Sequence, residues 1–268
     1  MAIMEKKAIG IFDSGIGGLT VLHSIIKAMP AEDTIYLGDT ARVPYGTKSP
    51  GIVTQYSLEI GSFLTNLDLK ALVVACNTAS AVAIPSLKER FSIPVIDMIG
   101  PAARKAASVT KNGHIGVIGT EGTVKSGAYE KALRSLRNDM NIVNSACPLF
   151  VPLAEEGWTD NEIARMTAEI YLDRFKDETV DTLILGCTHY PLFKKTISNI
   201  MGNRVTLVDS GEEAAEELKS LFKANGEDET DSKAKRTYYV TDTPDRFLRL
   251  GEKFLGEEIG KVNHIDIP

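Results

Sequence analysis

The sequence predicts an α/β fold built of two similar, pseudo-symmetric lobes, each a mainly parallel sheet flanked by helices, with a cleft between them. Three observations carry that prediction. Short apolar runs alternate with helical patterns along the chain, the early part of the chain is repeated in the middle, and each repeat sets a cysteine directly after one of its apolar runs. Runs of four to six apolar residues suit strands covered on both faces, as in parallel sheets, better than strands of a sandwich.

In chain order, strands are expected at 8–12, 34–37, 71–75, 94–96, 115–118, 142–146, 182–185, 205–208 and 238–240, and helices at 19–28, 50–65, 125–136, 160–175 and 212–224. The first strand ends in Asp13-Ser14-Gly15-Ile16-Gly17-Gly18, a turn whose glycines permit close backbone approach and whose following helix supplies free N–H groups suited to an anion. It is not a dinucleotide fingerprint, because Thr20 stands where the third glycine belongs. The third strand runs into Cys76-Asn77-Thr78, where an amide and a hydroxyl can cap a helix or grip a carboxylate. The seventh runs into Cys187-Thr188-His189, with Pro191 placed for a first helical turn. The stretch 224–235 is polar, has few apolar anchors, and reads as a mobile surface connection.

The repeat aligns Ile9-Gly10-Ile11-Phe12-Asp13-Ser14 with Ile115-Gly116-Val117-Ile118-Gly119-Thr120 and the two cysteine strands with each other. From Ile9 to Cys76 is 67 positions and from Ile115 to Cys187 is 72, a difference that loops absorb. A boundary is expected between 97 and 111, so that residues 1–98 with a returning segment 210–268 form one lobe and 99–209 the other. Ligands in open α/β sheets sit at the carboxyl ends of strands, which is where Ser14, Cys76, Thr120 and Cys187 all fall.

Composition narrows the function. A chain of 268 residues with 43% hydrophobic and 25% charged residues is an ordinary globular one, and a formal net charge of −6 argues against a nucleic-acid surface. Neither a membrane span nor a secretory signal is evident, so the cytoplasm is expected. The three cysteines, Cys76, Cys147 and Cys187, form no Cys-x-x-Cys pair and read as free thiols.

A thiol between a strand end and a helix start meets free N–H groups and a positive helix end, which favour thiolate. Beside Cys187, His189 is a credible proton partner, with a reference pKa near ~6.5 against ~8.5 for a thiol. A cysteine phosphatase would need arginine six positions after its nucleophile, where Val82 and Phe193 stand, and neither cysteine has standard metal-ligand spacing. Cys147, with no counterpart in the first lobe, reads as structural. The residues alone leave two readings open: paired acid–base thiols in an enzyme, or packing thiols in a two-lobed protein that binds an acidic metabolite.

Asp13-Ser14-Gly15-x-Gly17-Gly18, Gly38-Asp39, Pro44-Tyr45-Gly46, Ala75-Cys76-Asn77-Thr78-Ala79 and Gly186-Cys187-Thr188-His189-Tyr190-Pro191 together resemble the cofactor-independent glutamate racemases of bacteria. The Cys-Thr-His-Tyr-Pro form is more similar to that branch than to aspartate racemases, which typically carry an acid at the position of His189. The resemblance implies an isomerase that interconverts L- and D-glutamate for peptidoglycan synthesis and cell shape, without pyridoxal phosphate or metal. Cys76 and Cys187 would exchange protons on opposite faces of the α-carbon, Asp13 assisting the first and His189 the second. Asn77, Thr78, Thr120, Thr123 and Thr188 would hold the amino-acid backbone, and Ser14, Tyr45 and Gly46 the side-chain carboxylate. A glutamate near the second cysteine matches Glu155 better than its neighbour Glu156. A homodimer is also implied, and a broader-specificity amino-acid racemase is the alternative within the class.

Overall fold

The computed structural model describes residues 7–177, 179–226 and 233–267. Two parallel sheets organise it. The strands are β1 (Ala8–Asp13), β2 (Thr34–Gly38), β3 (Leu69–Val74), β4 (Val95–Ile96), β5 (His114–Gly119), β6 (Asn141–Ala146), β7 (Thr182–Gly186), β8 (Thr206–Asp209), β9 (Arg236–Val240) and β10 (Val262–His264). The first sheet has the order β10-β9-β2-β1-β3-β4 and the second β6-β5-β7-β8. Inside the first, β2-β1-β3-β4 repeats the order of the second, so the sequence repeat is a repeat of topology. The final two strands then add to the β2 edge, Tyr36 lying opposite Tyr238.

Both sheets are covered on both faces, which explains the unbroken apolar runs. In β1, Ile9 and Ile11 join one buried cluster while Ala8 and Phe12 join another. In β5, Ile118 faces the first of these clusters and Ile115 and Val117 face a third. That alternation is the two-residue period of a strand buried on both faces.

The helices are α1 (Leu19–Ala28), α2 (Pro50–Thr65), α3 (Asn77–Val82), α4 (Ile84–Arg90), α5 (Ile99–Val109), α6 (Glu121–Lys125), α7 (Ala128–Leu136), α8 (Phe150–Glu155), α9 (Glu162–Asp177), α10 (Lys194–Met201), α11 (Ser210–Ala224) and α12 (Pro244–Leu255). The stretch read as a boundary folds as α5. Its first turn is capped by Asp97, whose Oδ1 accepts from the backbone N–H of Ile99 and of Gly100, both at 2.7 Å. Its buried face, Ile99, Ala102, Ala103 and Ala106, packs with Ile115, Val117 and Ile184 of the second sheet.

Two expectations need correction, and one strand is added to those expected. The helix expected at 125–136 is two, α6 and α7, because Gly127 between them adopts φ +65°, a left-handed conformation that ends one helix and redirects the chain into the next. The segment after Cys187 enters a 3₁₀ turn, Tyr190–Phe193, before α10, so only Cys76 directly caps an α-helix. Strand β10 was not anticipated, since three residues carry too little pattern to announce it. Much of the polar connection expected at 224–235 lies outside the described residues. Among the described residues, no helix is long and apolar enough to cross a membrane.

Candidate active site

Parallel strands end at one side of their sheet, and the ends of β1, β3, β5 and β7 meet across the interface between the sheets. Asp13 is the last residue of β1, and Ser14 follows. Cys76 follows β3 as the N-cap of α3, Thr120 follows β5 as the N-cap of α6, and Cys187 follows β7. Together these ends enclose a cavity of about 210 Å³. Of the expected site residues, Ser14, Tyr45, Gly46, Cys76, Asn77, Thr78, Thr120, Cys187, Thr188 and His189 line it. Asp13, Thr123 and Glu155 stand one layer behind the wall.

Each half has its own supporting contacts. Cys76 Sγ lies 3.8 Å from Ser14 Oγ, and Cys187 Sγ lies 3.9 Å from His189 Nδ1. His189 Nε2 is 3.3 Å from Glu155 Oε1, whereas Glu156 is exposed. At the end of α8 it is Glu155 that turns toward the imidazole, while its neighbour turns to solvent. Asp13 Oδ2 accepts from the Gly15 N–H at 2.9 Å, but its Oδ1 is buried with no hydrogen-bond partner.

The two sheets are joined at the cavity by hydroxyls and one amide. Thr78 Oγ1 shares hydrogen bonds with Thr120 Oγ1 at 2.9 Å and Thr123 Oγ1 at 3.3 Å. On the other side Thr20 Oγ1 donates to the Thr188 carbonyl at 2.8 Å. The Asn77 carboxamide accepts from Tyr129 and donates to Ser210 at 3.2 Å, and Ser210 donates onward to the Leu185 carbonyl at 3.1 Å. Its amide thus braces the cleft, which leaves the hydroxyls and backbone N–H groups beside it to meet a ligand.

The wall formed by Pro44, Tyr45 and Gly46 depends on Asp39, which is fully buried at the end of β2. Tyr45 donates its hydroxyl to Asp39 Oδ2, Arg42 Nε donates to the same oxygen at 2.7 Å, and Thr241 donates to Oδ1 at 2.9 Å. Arg42 also pairs with Glu59 and lies 4.1 Å over the Tyr56 ring. With its phenol engaged there, Tyr45 is left to offer the cavity its backbone and ring.

The family model described as Asp/Glu/Hydantoin racemase matches residues 9–218. The chain belongs to that family. The glutamate racemase of Geobacter metallireducens is 56% identical over 98% of both chains. The glutamate racemase isoform RacE1 of Bacillus anthracis shares the fold with a TM-score of 0.94 at 42% identity, over 98% of each chain. The Francisella tularensis glutamate racemase, solved in complex with D-glutamate, has a TM-score of 0.91 at 37% identity, over 98% of this chain and 99% of its own.

In this racemase-family cleft, burial outweighs the helix ends that were expected to favour thiolate. Desolvation, and then the charge of Asp13, push the Cys76 thiol up to about 11, against weaker help from the Ala79 N–H and from Ser14. Cys187 is raised further, again by burial first, with the neighbouring Cys76 and Asp13 adding to it. Burial also raises Asp13, opposed by His189 and the turn amides. Glu155 is held below the ordinary carboxylate range, chiefly by its hydrogen bond to His189. Both cysteines are free of disulfides, and burial favours the protonated form of each. Cys147, fully buried 3.7 Å from the Ser145 carbonyl, is raised by burial to about 12 and packs outside the cavity wall.

Sequence reasoning missed Pro148, Val151 and Pro152, which wall the cavity from the turn before α8 and from α8 itself, and Glu121 beside Thr120. Apolar wall residues carry no chemical signature, and only their position beside Cys147 hinted at them. Among the described residues, no group of three or more His, Cys, Asp or Glu is placed to hold a metal ion.

Proposed function

We propose that this protein is a glutamate racemase that interconverts L- and D-glutamate with Cys76 and Cys187 as the two acid–base groups, without a cofactor. The observation that carries the reading is that two buried thiols, set on equivalent strand ends of two repeated lobes, line one cavity between them. The relatives named above, glutamate racemases over nearly their whole length, support the choice of substrate. We take the lobes as 1–98 with 210–268, and 99–209.

The chemistry needs this layout. One thiolate removes the α-hydrogen as a proton and becomes a thiol, while the electron pair is held as a carbanion flattened toward the substrate carboxylate. The opposite thiol then delivers its proton to the other face and becomes the thiolate. A single fixed base could not reach both faces. Raised thiol pKa values make each a poor thiolate but a basic one, matched to a very weakly acidic C–H, and the hydroxyls of Thr78, Thr120 and Thr188 with the α3 N–H groups can stabilise the developing charge. Asp13 and His189 would serve as the proton partners of Cys76 and Cys187, the first through its unpartnered oxygen. Ser14 and the Tyr45-Gly46 backbone would take the side-chain carboxylate. Within a cell the protein would act in the cytoplasm as a homodimer and supply D-glutamate to peptidoglycan.

The test is incubation of the purified, reduced protein with L-glutamate in deuterium oxide with no added cofactor. D-glutamate carrying deuterium at the α-carbon is expected. Retention of both the α-proton and the L configuration would overturn the reading in favour of a binding protein.

A further inference from the structure

The repeat leaves one helix near the site unexplained. α12 lies beyond the repeated region and is carried by the first lobe: Phe247 packs against Tyr36 with ring centroids 5.8 Å apart, and His23 Nδ1 sits 2.7 Å from the Leu255 carbonyl. Yet two of its side chains face the second lobe's proton partner. Phe254 sets its ring edge-on to His189 at 5.4 Å and 83°, and Arg246 Nη2 donates to Glu155 Oε2 at 3.0 Å. Glu155 uses its other oxygen on His189 Nε2, and His189 Nδ1 is the group beside Cys187.

We infer that Arg246 is a positioning residue for the Cys187 half of the reaction, acting through Glu155 and His189. The carboxylate of Glu155 is partly exposed, and its contact with His189 engages only one of its two oxygens. With one oxygen held by Arg246, the other is aimed at the imidazole, which fixes the ring plane and keeps Nδ1 toward the thiol. Among the described residues the Cys76 half has no counterpart, because the repeat supplies no helix equivalent to α12. Since α12 packs on the first lobe while Glu155 and His189 belong to the second, the contact bridges the two lobes.

The inference rests on the two-thiol reading, and its test separates the two. Glutamate enantiomers are equal in free energy, so a variant must lower kcat/KM equally in both directions; primary isotope effects distinguish the halves. Slowing transfer at Cys187 alone raises the effect for the α-deuterated enantiomer that yields its proton to Cys187 and lowers it for the other. Arg246→Ala in the full chain is expected to lower kcat/KM about three- to fivefold, the scale of an exposed ion pair, with isotope effects moving in opposite directions. Arg246→Lys should restore at least half of the loss, and Arg246→Ala should add nothing in a Glu155→Ala background. Isotope effects that move together or stay unchanged, or a full further loss in the Glu155→Ala background, would overturn the inference. Absence of glutamate racemisation by the unaltered protein would instead overturn the reading beneath it.

Discussion

The hydroxyl of Tyr129 donates to Oδ1 of Asn77 across 2.6 Å, joining a helix of the second lobe to the residue that follows Cys76. Both side chains are buried, and the Asn77 amide continues to Ser210. The hydrogen bond from Tyr129 therefore ties the lobes together beside the cleft.

Tyr129→Phe removes only that hydroxyl and leaves a buried carbonyl oxygen without its donor. A loss of about 1–3 kcal/mol is expected, the cost of an unsatisfied buried polar atom. Urea denaturation of the variant beside the unaltered protein measures it, and a loss near zero would mean that water takes the place of the phenol.

Cys76→Ala and Cys187→Ala are each expected to lower racemisation by at least about 10²–10⁴-fold, the contribution of a positioned acid or base. Each removes one buried sulfur from a residue already small, so far-ultraviolet circular dichroism should be unchanged. Chiral chromatography of the product decides the matter, and near-normal racemisation by either variant would exclude the two-base mechanism.

Thiols raised by burial make folding depend on alkaline pH. For Cys76 the folded-state pKa of about 11 lies above that of an unfolded thiol, near ~8.5, so between those values the unfolded chain has lost a proton that the folded chain keeps. Stability is then complete below ~8.5 and falls as pH rises toward 11, by roughly 1 kcal/mol per pH unit for each such thiol. Cys147, raised to about 12, acts in the same direction. Denaturation curves between pH 8 and 11 should show this slope, and Cys147→Ala should flatten it without touching the cavity.

Gly17 is a site of close approach between the lobes. A Cβ there would lie 2.3 Å from Thr188 Oγ1 and 2.5 Å from the His189 ring. Gly17→Ala must push both away, and if His189 acts as proposed, its displacement by even about 1 Å can cost on the order of 10²-fold in rate. Steady-state kinetics should show the loss mainly in kcat, and an unchanged kcat would mean that the turn gives way instead of the histidine.

Much of this molecule is local in origin. The strand ends at Asp13, Cys76, Thr120 and Cys187 are legible because an apolar run followed by a polar capping residue specifies strand, turn and helix start within a few positions. Their equivalence is legible because the repeat aligns them. The motifs around both cysteines likewise suffice to suggest the family. What required the tertiary structure is everything set by one lobe against the other. Glu155 and not Glu156 meets His189 because of the direction in which α8 ends. Asn77 turns its amide to Tyr129 and Ser210 because three distant segments converge there. Arg246 reaches the site from 91 positions beyond Glu155. The thiols differ most from expectation for the same reason: helix ends favour the thiolate locally, but desolvation depends on how completely the lobes close over the sulfur, and burial of a charge outweighs a partial dipole.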